Sequence, residues 1–294
     1  NEVLKLTDNE KLLTNTIFEI AKIFESKLTK SKKALNISGF YTNNSFFTSP
    51  FLSIKEESGS TLKNAMEIYD SLRVNNKNAQ AAYRLAEVQY RILGDLDHAL
   101  YLYQEAYKYG NTLDLRIDSA IGILDIYISK GDLTTAKYKC DNLITQYPTE
   151  LKFQIKYAQI LFYDGNYSDT ESALKSLIKE IPLDNKSVND IMDILSILIL
   201  FKNYQKEFID FTKVQFNIFQ NKRTEALEKL TSLFDTQDIY INDMCRYQHA
   251  WILYLHGDIE KTKLSLKNIN GDSIYKELSH IFHAEILDYI NHDI

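Results

Sequence analysis

The amino-acid sequence predicts an all-α protein, an α-α superhelix built from stacked helix hairpins. Pro148 and Pro182 are 34 residues apart, as are Gly131 and Gly165, and each glycine precedes its proline by 17 residues. A period of roughly 20 to 50 residues is typical of a stacked repeat array. The chain has only 9 glycines and 3 prolines in 294 residues, and such scarcity favours helices, because both residue types are unfavourable inside a helix.

Composition and charge are ordinary for a folded protein. Hydrophobic residues make up 45% of the chain, and the formal net charge is −6, so we expect no nucleic-acid partner. No stretch approaches the roughly 18 apolar residues of a membrane span, so we expect no integral membrane segment. Cys140 and Cys245 are predicted to be two buried thiols, since their separation in a repeat array disfavours a disulfide.

The compartment is left open by the sequence. The chain begins at Asn1, without a methionine or a signal-type apolar core, which indicates either a processed form or a cut one. A removed leader would place the protein outside the cytoplasm. The cell envelope or periplasm is therefore slightly favoured over the cytoplasm.

Each helix hairpin is predicted to turn at a residue that tolerates left-handed backbone. These residues are Gly94, Gly131, Gly165, Asn221 and Gly257. An aspartate or asparagine beside most of the glycines favours the turn and can cap the next helix. The predicted pairs are residues 80–93 with 96–109, 115–130 with 133–147, 151–163 with 168–180, 204–220 with 223–234, and 242–256 with 259–269.

The chain is predicted to have four parts. They are an N-terminal capping helix with an ordered aromatic-rich loop in residues 1–60, a regular array in 61–182, an interrupting helix in 183–203, and degenerate hairpins with a C-terminal capping helix in 204–294. The loop carries Phe40, Tyr41, Phe46 and Phe47 among turn-forming residues. We expect it to be pinned onto the array, because a disordered linker would carry fewer aromatic residues.

The repeating positions resemble the tetratricopeptide repeat signature. One unit has Tyr83, Ala86, Tyr90, Gly94, Ala99, Tyr103 and Ala106, and the next has Ala120, Ile123, Tyr127, Gly131, Ala136, Cys140, Leu143 and Pro148. The units around Gly165 and Gly257 are degenerate. The resemblance covers residues 61–182 and 204–291, and within the family the chain most resembles bacterial proteins of the cell-envelope kind. It implies a right-handed solenoid in which alanine allows two helices to approach closely.

The resemblance also implies a binding groove, lined by the first helix of each hairpin. Carried onto this sequence, the groove residues are Arg84, Val88, Arg91, Asp125, Gln159, Tyr163, Tyr247, Trp251 and Tyr254. Trp, Tyr and Arg are the types that dominate binding hot spots. Packing between hairpins is an alternative role for Trp251. A clamp for the carboxylate end of chaperones is disfavoured, because Asp118 and Asp125 occupy the helix next to Arg84 and Arg91.

No catalytic or cofactor pattern is present in the sequence. Every glycine is isolated, so there is no phosphate-binding loop, and a metal shared by His280 and His283 is disfavoured because no HExxH motif accompanies them. We therefore expect a non-enzymatic scaffold without cofactor or metal that binds a protein segment or subunit along the groove, as a component of a larger assembly. The alternative is a sensor in which a bound peptide changes the superhelical pitch. An enzyme with its active site in residues 31–60 is the weakest hypothesis, since no His, Cys or Asp occurs there.

Overall fold

The computed structural model describes residues 10–28, 39–41, 43–54 and 58–292, and this part of the chain contains fourteen α-helices and no β-strand. The helices are α1 (Glu10–Ser26), α2 (Gly59–Asn76), α3 (Ala79–Val88), α4 (Leu96–Tyr109), α5 (Leu113–Ser129), α6 (Leu133–Gln146), α7 (Leu151–Tyr163), α8 (Tyr167–Glu180), α9 (Ser187–Leu200), α10 (Gln205–Phe219), α11 (Arg223–Thr231), α12 (Ile239–Leu255), α13 (Ile259–Lys267) and α14 (Ile274–His292). The predicted all-α fold of tetratricopeptide-like hairpins is confirmed.

The hairpin turns lie where the sequence predicts them. Gly94, Gly131, Gly165 and Gly257 have φ angles of 69°, 84°, 73° and 78°, and Asn221 has a φ of 60°. This left-handed conformation is costly for most side chains and ends the first helix of each pair. The aspartates after the glycines cap the second helices: Asp95 accepts a hydrogen bond from the backbone of His98, and Asp258 accepts one from Lys261.

The small residue near the start of each second helix is fully buried, as the close-approach interpretation requires. The exposed fraction is 0% for Ala65, Ala99, Ala136, Thr170, Ala226 and Thr262. A larger side chain would have to displace the facing helix, because protein interiors are packed nearly as tightly as organic crystals. These residues therefore fix how closely the two helices of each hairpin pack.

The chain forms two compact units. The first contains the described residues up to 28 and from 50 to 136, and the second contains those from 39 to 49 and from 137 onward. In the first unit, α1 to α5 pack consecutively, and α3 also contacts α5. Its core includes Ala21, Tyr69, Tyr90 and Tyr103. A π-helical turn, Gln89–Leu93, continues α3 as far as Gly94.

The second unit contains a helix that departs from the hairpin order. Helix α9 follows the α7–α8 hairpin and packs on α8, whereas α10 packs on both α7 and α11. Thus α7 and α10 are neighbours although α8 and α9 separate them in sequence. Helix α9 (Ser187–Leu200) falls within residues 183–203, the range assigned to the interrupting helix. Helix α12 packs on α11, α13 and α14. The four-part division of the chain stays a prediction.

Candidate functional site

A short segment of the second unit lies on helix α7, which carries two of the predicted groove residues. We call residues 43–49 the strap. The Gln159 side chain on α7 donates a hydrogen bond from Nε2 to the carbonyl oxygen of Ser45 at 2.8 Å. One turn later, the Tyr163 hydroxyl donates to the carbonyl oxygen of Phe46 at 3.2 Å. Gln159 is 2% exposed and Tyr163 is 3% exposed. Both side chains therefore bind the main chain of the strap.

Two adjacent phenyl rings anchor the strap against aromatic side chains of α7 and α10. Phe46 and Phe47 are both buried. The ring centroid of Phe46 lies 5.7 Å from that of Phe162, and the centroid of Phe47 lies 6.1 Å from Phe162 and 6.2 Å from Phe211. These separations are typical of edge-to-face aromatic pairs. The strap is thus inserted between helices of its own unit.

Asn44 holds the strap in a turn and joins it to α9. Its Oδ1 accepts a hydrogen bond from the backbone of Phe46 at 3.0 Å, which makes an Asx turn. Its Nδ2 donates to the carbonyl oxygen of Asp190 and to Oδ2 of Asp193, both at 3.1 Å. The carboxylate of Asp190 accepts from the backbone of Ser45 at 3.3 Å. Burial raises the pKa of Asp190, while the hydrogen bonds from Ser45 act in the opposite direction.

The predicted aromatic cluster on α12 lies among rings of α14. The ring of Trp251 is 5.8 Å from that of Tyr254 and 5.4 Å from that of Phe282. Gly39 packs against the indole so closely that a Cβ there would lie 2.0 Å from Cζ2 of Trp251. Trp251 and Tyr254 are nevertheless half-buried and reach the surface. Trp251 therefore packs on α14 and stays partly exposed, and its role in binding a partner stays a prediction.

Tyr247, on the same helix, is buried between Tyr275 and Phe282. Its hydroxyl makes no hydrogen bond to the described part of the protein. Burial raises the pKa of this hydroxyl, and the charge of Glu285 raises it further. The phenol is therefore neutral at physiological pH and serves in the packing of α12 on α14.

The candidates of the first unit lie in a network of charged side chains. Nε of Arg84 donates to Oε2 of Glu25 on α1 at 3.0 Å. Arg91 donates to the carbonyl oxygen of Pro50 at 3.1 Å and to Oε2 of Glu87 at 3.2 Å. The side chains of Arg84 and Arg91 are 31% and 40% exposed. Each arginine therefore has a carboxylate partner within the unit and still reaches solvent.

Burial divides the nine predicted groove residues into two groups. Val88, Gln159, Tyr163 and Tyr247 are buried, so none of them is open to a partner in this conformation. Arg84, Arg91, Asp125, Trp251 and Tyr254 are half-buried or more exposed. The role of these residues in binding a partner stays a prediction.

The sequence did not predict that the strap binds the side chains of Gln159 and Tyr163. The contact between Ser45 and Gln159 joins residues 114 positions apart, and no local periodicity reports such a pairing. The available signal was the adjacent pair Phe46 and Phe47 beside Asn44. Two neighbouring aromatic residues in a turn-rich segment require burial somewhere, but the sequence does not specify the surface.

Among the described residues, no group of three or more His, Cys, Asp or Glu side chains is arranged to hold a metal ion. None of the helices in this part of the chain is long and apolar enough to span a membrane.

The geometry defines a class, an all-α protein of tetratricopeptide-like helix hairpins. No protein-family model and no curated protein matches the chain. Among solved structures, the chain is similar to a tetratricopeptide repeat protein from Parabacteroides merdae ATCC 43184, with 13% sequence identity and a TM-score of 0.46, over 97% of this chain and 88% of that chain. This likeness is too weak to support an argument about the site, so the class rests on the helices and turns described above.

Proposed function

We propose that the protein is a non-enzymatic scaffold that binds a segment of a partner protein along the first helices of its hairpins. The observation that supports the proposal is the strap. In the second unit, Gln159 and Tyr163 donate hydrogen bonds to consecutive carbonyl oxygens of a non-helical segment. Hydrogen bonds to the main chain supply affinity for any polypeptide, and pockets for its side chains supply specificity. Helix α7 therefore presents side-chain donors that bind the main chain of a non-helical segment of this chain.

The exposed candidate residues are the proposed contacts for a partner. On α12, Trp251 and Tyr254 offer large rigid surfaces, which are gained at low cost in conformational entropy. In the first unit, Arg84, Arg91 and Asp125 offer charged groups that fix the orientation of a segment. The arginines keep their own carboxylate partners, so a bound segment gains most by hydrogen bonding to the exposed part of each guanidinium.

The test is affinity capture from the native source with chemical cross-linking, read out by mass spectrometry. We expect cross-links from a bound protein to cluster on α3, α5 and α12. Trp251→Ala should weaken the binding free energy of the captured partner by about 2 kcal/mol or more, and so reduce capture. The matched control is Tyr138→Ala, an exposed aromatic residue on the second helix α6, which should leave capture unchanged. Circular dichroism must show that both variants fold.

A different distribution of cross-links would refute the proposal. If the cross-links cluster on the second helices α4, α6 and α11, and Tyr138→Ala weakens capture more than Trp251→Ala, the partner binds the second helices and not the first. A loss of stability of roughly 3–5 kcal/mol in Trp251→Ala with unchanged capture would assign Trp251 to packing alone.

A further inference from the structure

We propose that the strap is an intramolecular ligand, which a partner displaces with a segment of the same chemistry: an asparagine turn followed by two adjacent aromatic residues. This inference rests on the proposed function and specifies the segment that the second unit binds. Three features of the second unit support it. The carboxylates of α9 favour one residue type at the turn, the aromatic cluster beneath the strap has contacts that do not involve the strap, and the strap is not part of a helix.

The carboxylates on α9 select the residue that makes the turn. The amide of Asn44 donates to Asp193 Oδ2 and to the backbone of Asp190, while its oxygen closes the turn to Phe46. Only a neutral side chain with both a donor and an acceptor does all three. An aspartate in this place would put a second carboxylate against Asp193 and lose the donor. The face therefore favours asparagine and disfavours acidic residues.

The helices beneath the strap form an aromatic cluster of their own. The Phe162 and Phe208 ring centroids are 5.9 Å apart, and the Phe201 ring lies 5.1 Å from that of Phe211 and 5.9 Å from that of Phe208. These contacts join α7 to α10 and to the end of α9 without the strap. The cluster therefore keeps its internal contacts when Phe46 and Phe47 leave, and it presents aromatic surface to a new pair of rings.

The strap belongs to no helix. It binds the helices through hydrogen bonds to Gln159, Tyr163, Asp190 and Asp193 and through the insertion of its two phenyl rings, and Phe47 also packs on the rings of the preceding residues Tyr41 and Phe40. A second polypeptide with the same groups can make these contacts with the helices. Covalent linkage gives the strap an effective concentration of about millimolar order, so a free peptide competes poorly with the intact strap. A strap with weakened contacts loses this advantage.

The test uses the full chain and a fluorescent peptide with the sequence of residues 43–49, followed by anisotropy. Phe47→Ala removes one ring of the strap, and Asn44→Ala removes its hydrogen bonds to α9. Both variants should bind the peptide at least tenfold more tightly than the parent. Phe51→Ala and Asn75→Ala, which change the same residue types in the first unit, should bind it as the parent does.

Peptide variants test the chemistry of the segment. A peptide that carries Phe46→Ala and Phe47→Ala should show no binding to the weakened chains. A peptide that carries Asn44→Asp should bind at least fivefold more weakly than the unmodified one, because of the α9 carboxylates. Equal binding of all three peptides would overturn the proposed recognition.

Two outcomes with the chain variants would overturn the inference. Folded Phe47→Ala and Asn44→Ala chains that bind the peptide no more tightly than the parent would show that the face is closed to a second segment. If Phe47→Ala does not fold, Asn44→Ala decides alone. Failure of Asn44→Ala to fold as well would make the strap a permanent part of the core. Each of these results leaves the capture experiment with Trp251→Ala intact, so the failure of this inference is distinguishable from failure of the scaffold proposal.

Discussion

Ala99 lies where α4 packs on α3, and we expect Ala99→Leu to destabilise the first unit by about 1–3 kcal/mol. Leucine adds three carbon atoms, whose burial would contribute about 0.8 kcal/mol for each methylene if space existed. Ala99 is 0% exposed, and its cluster includes Tyr69, Leu85 and Tyr103, none of them more than 2% exposed. With no open side, the extra atoms must move a helix, so the cost of overpacking exceeds the gain from burial.

The measurement is urea denaturation followed by far-UV circular dichroism. His98→Leu is the matched control, since it adds a leucine to the adjacent, exposed position of the same helix. We expect a lower midpoint for Ala99→Leu and a midpoint near that of the parent for His98→Leu. Equal midpoints for all three chains would refute the assignment of Ala99 to a close approach between helices.

Three further predictions follow from the contacts. Gly39→Ala should shift the fluorescence emission of Trp251, the single tryptophan, because the new Cβ collides with the indole. The control is Gly59→Ala, which should leave the emission unchanged, since nothing lies within 4 Å of the added atom. An unchanged emission spectrum in both variants would contradict the packing of Gly39 on Trp251. Arg84→Met should lower the free energy of unfolding by about 1–2 kcal/mol through loss of its partly exposed ion pair, and identical urea midpoints would disprove this. Burial lowers the pKa of His249 to about 4, so between pH 6.5 and 4 the unfolded chain binds a proton at this residue and the folded chain does not. The free energy of unfolding should therefore fall as the pH drops from about 6.5 towards 4, and His249→Gln should make this fall smaller. An equal dependence of stability on pH in both chains would contradict the prediction.

The helices and turns could be predicted because their determinants are local. The φ angle of Gly131 depends on the absence of a side chain at that residue, and the cap on the next helix depends on Asp132 beside it. The burial of Ala136 follows from its fixed distance after that turn. Because these local features recur about every 34 residues, the period in the sequence identified the hairpins.

The candidate site could be predicted only in part. The positions of Gln159 and Tyr163 on the first helix α7 follow from the repeat, but their partners do not. Ser45 and Phe46 are more than 100 residues away and lie outside the repeating pattern. The sequence also left the role of Trp251 open, because exposure depends on Phe282 and Gly39, which belong to other parts of the chain.

The sequence by itself determined the helical class, the hairpin turns and the buried small residues, since each depends on backbone preference and spacing within about one repeat. Only the tertiary structure decided which predicted groove residues are buried and that the strap covers two of them. The physical reason is that Phe46 and Phe47 gain free energy from burial on any apolar surface of the right shape, because the hydrophobic effect has no direction. The choice among such surfaces is made by Asn44, Gln159 and Tyr163, whose hydrogen bonds form only when distant parts of the folded chain meet.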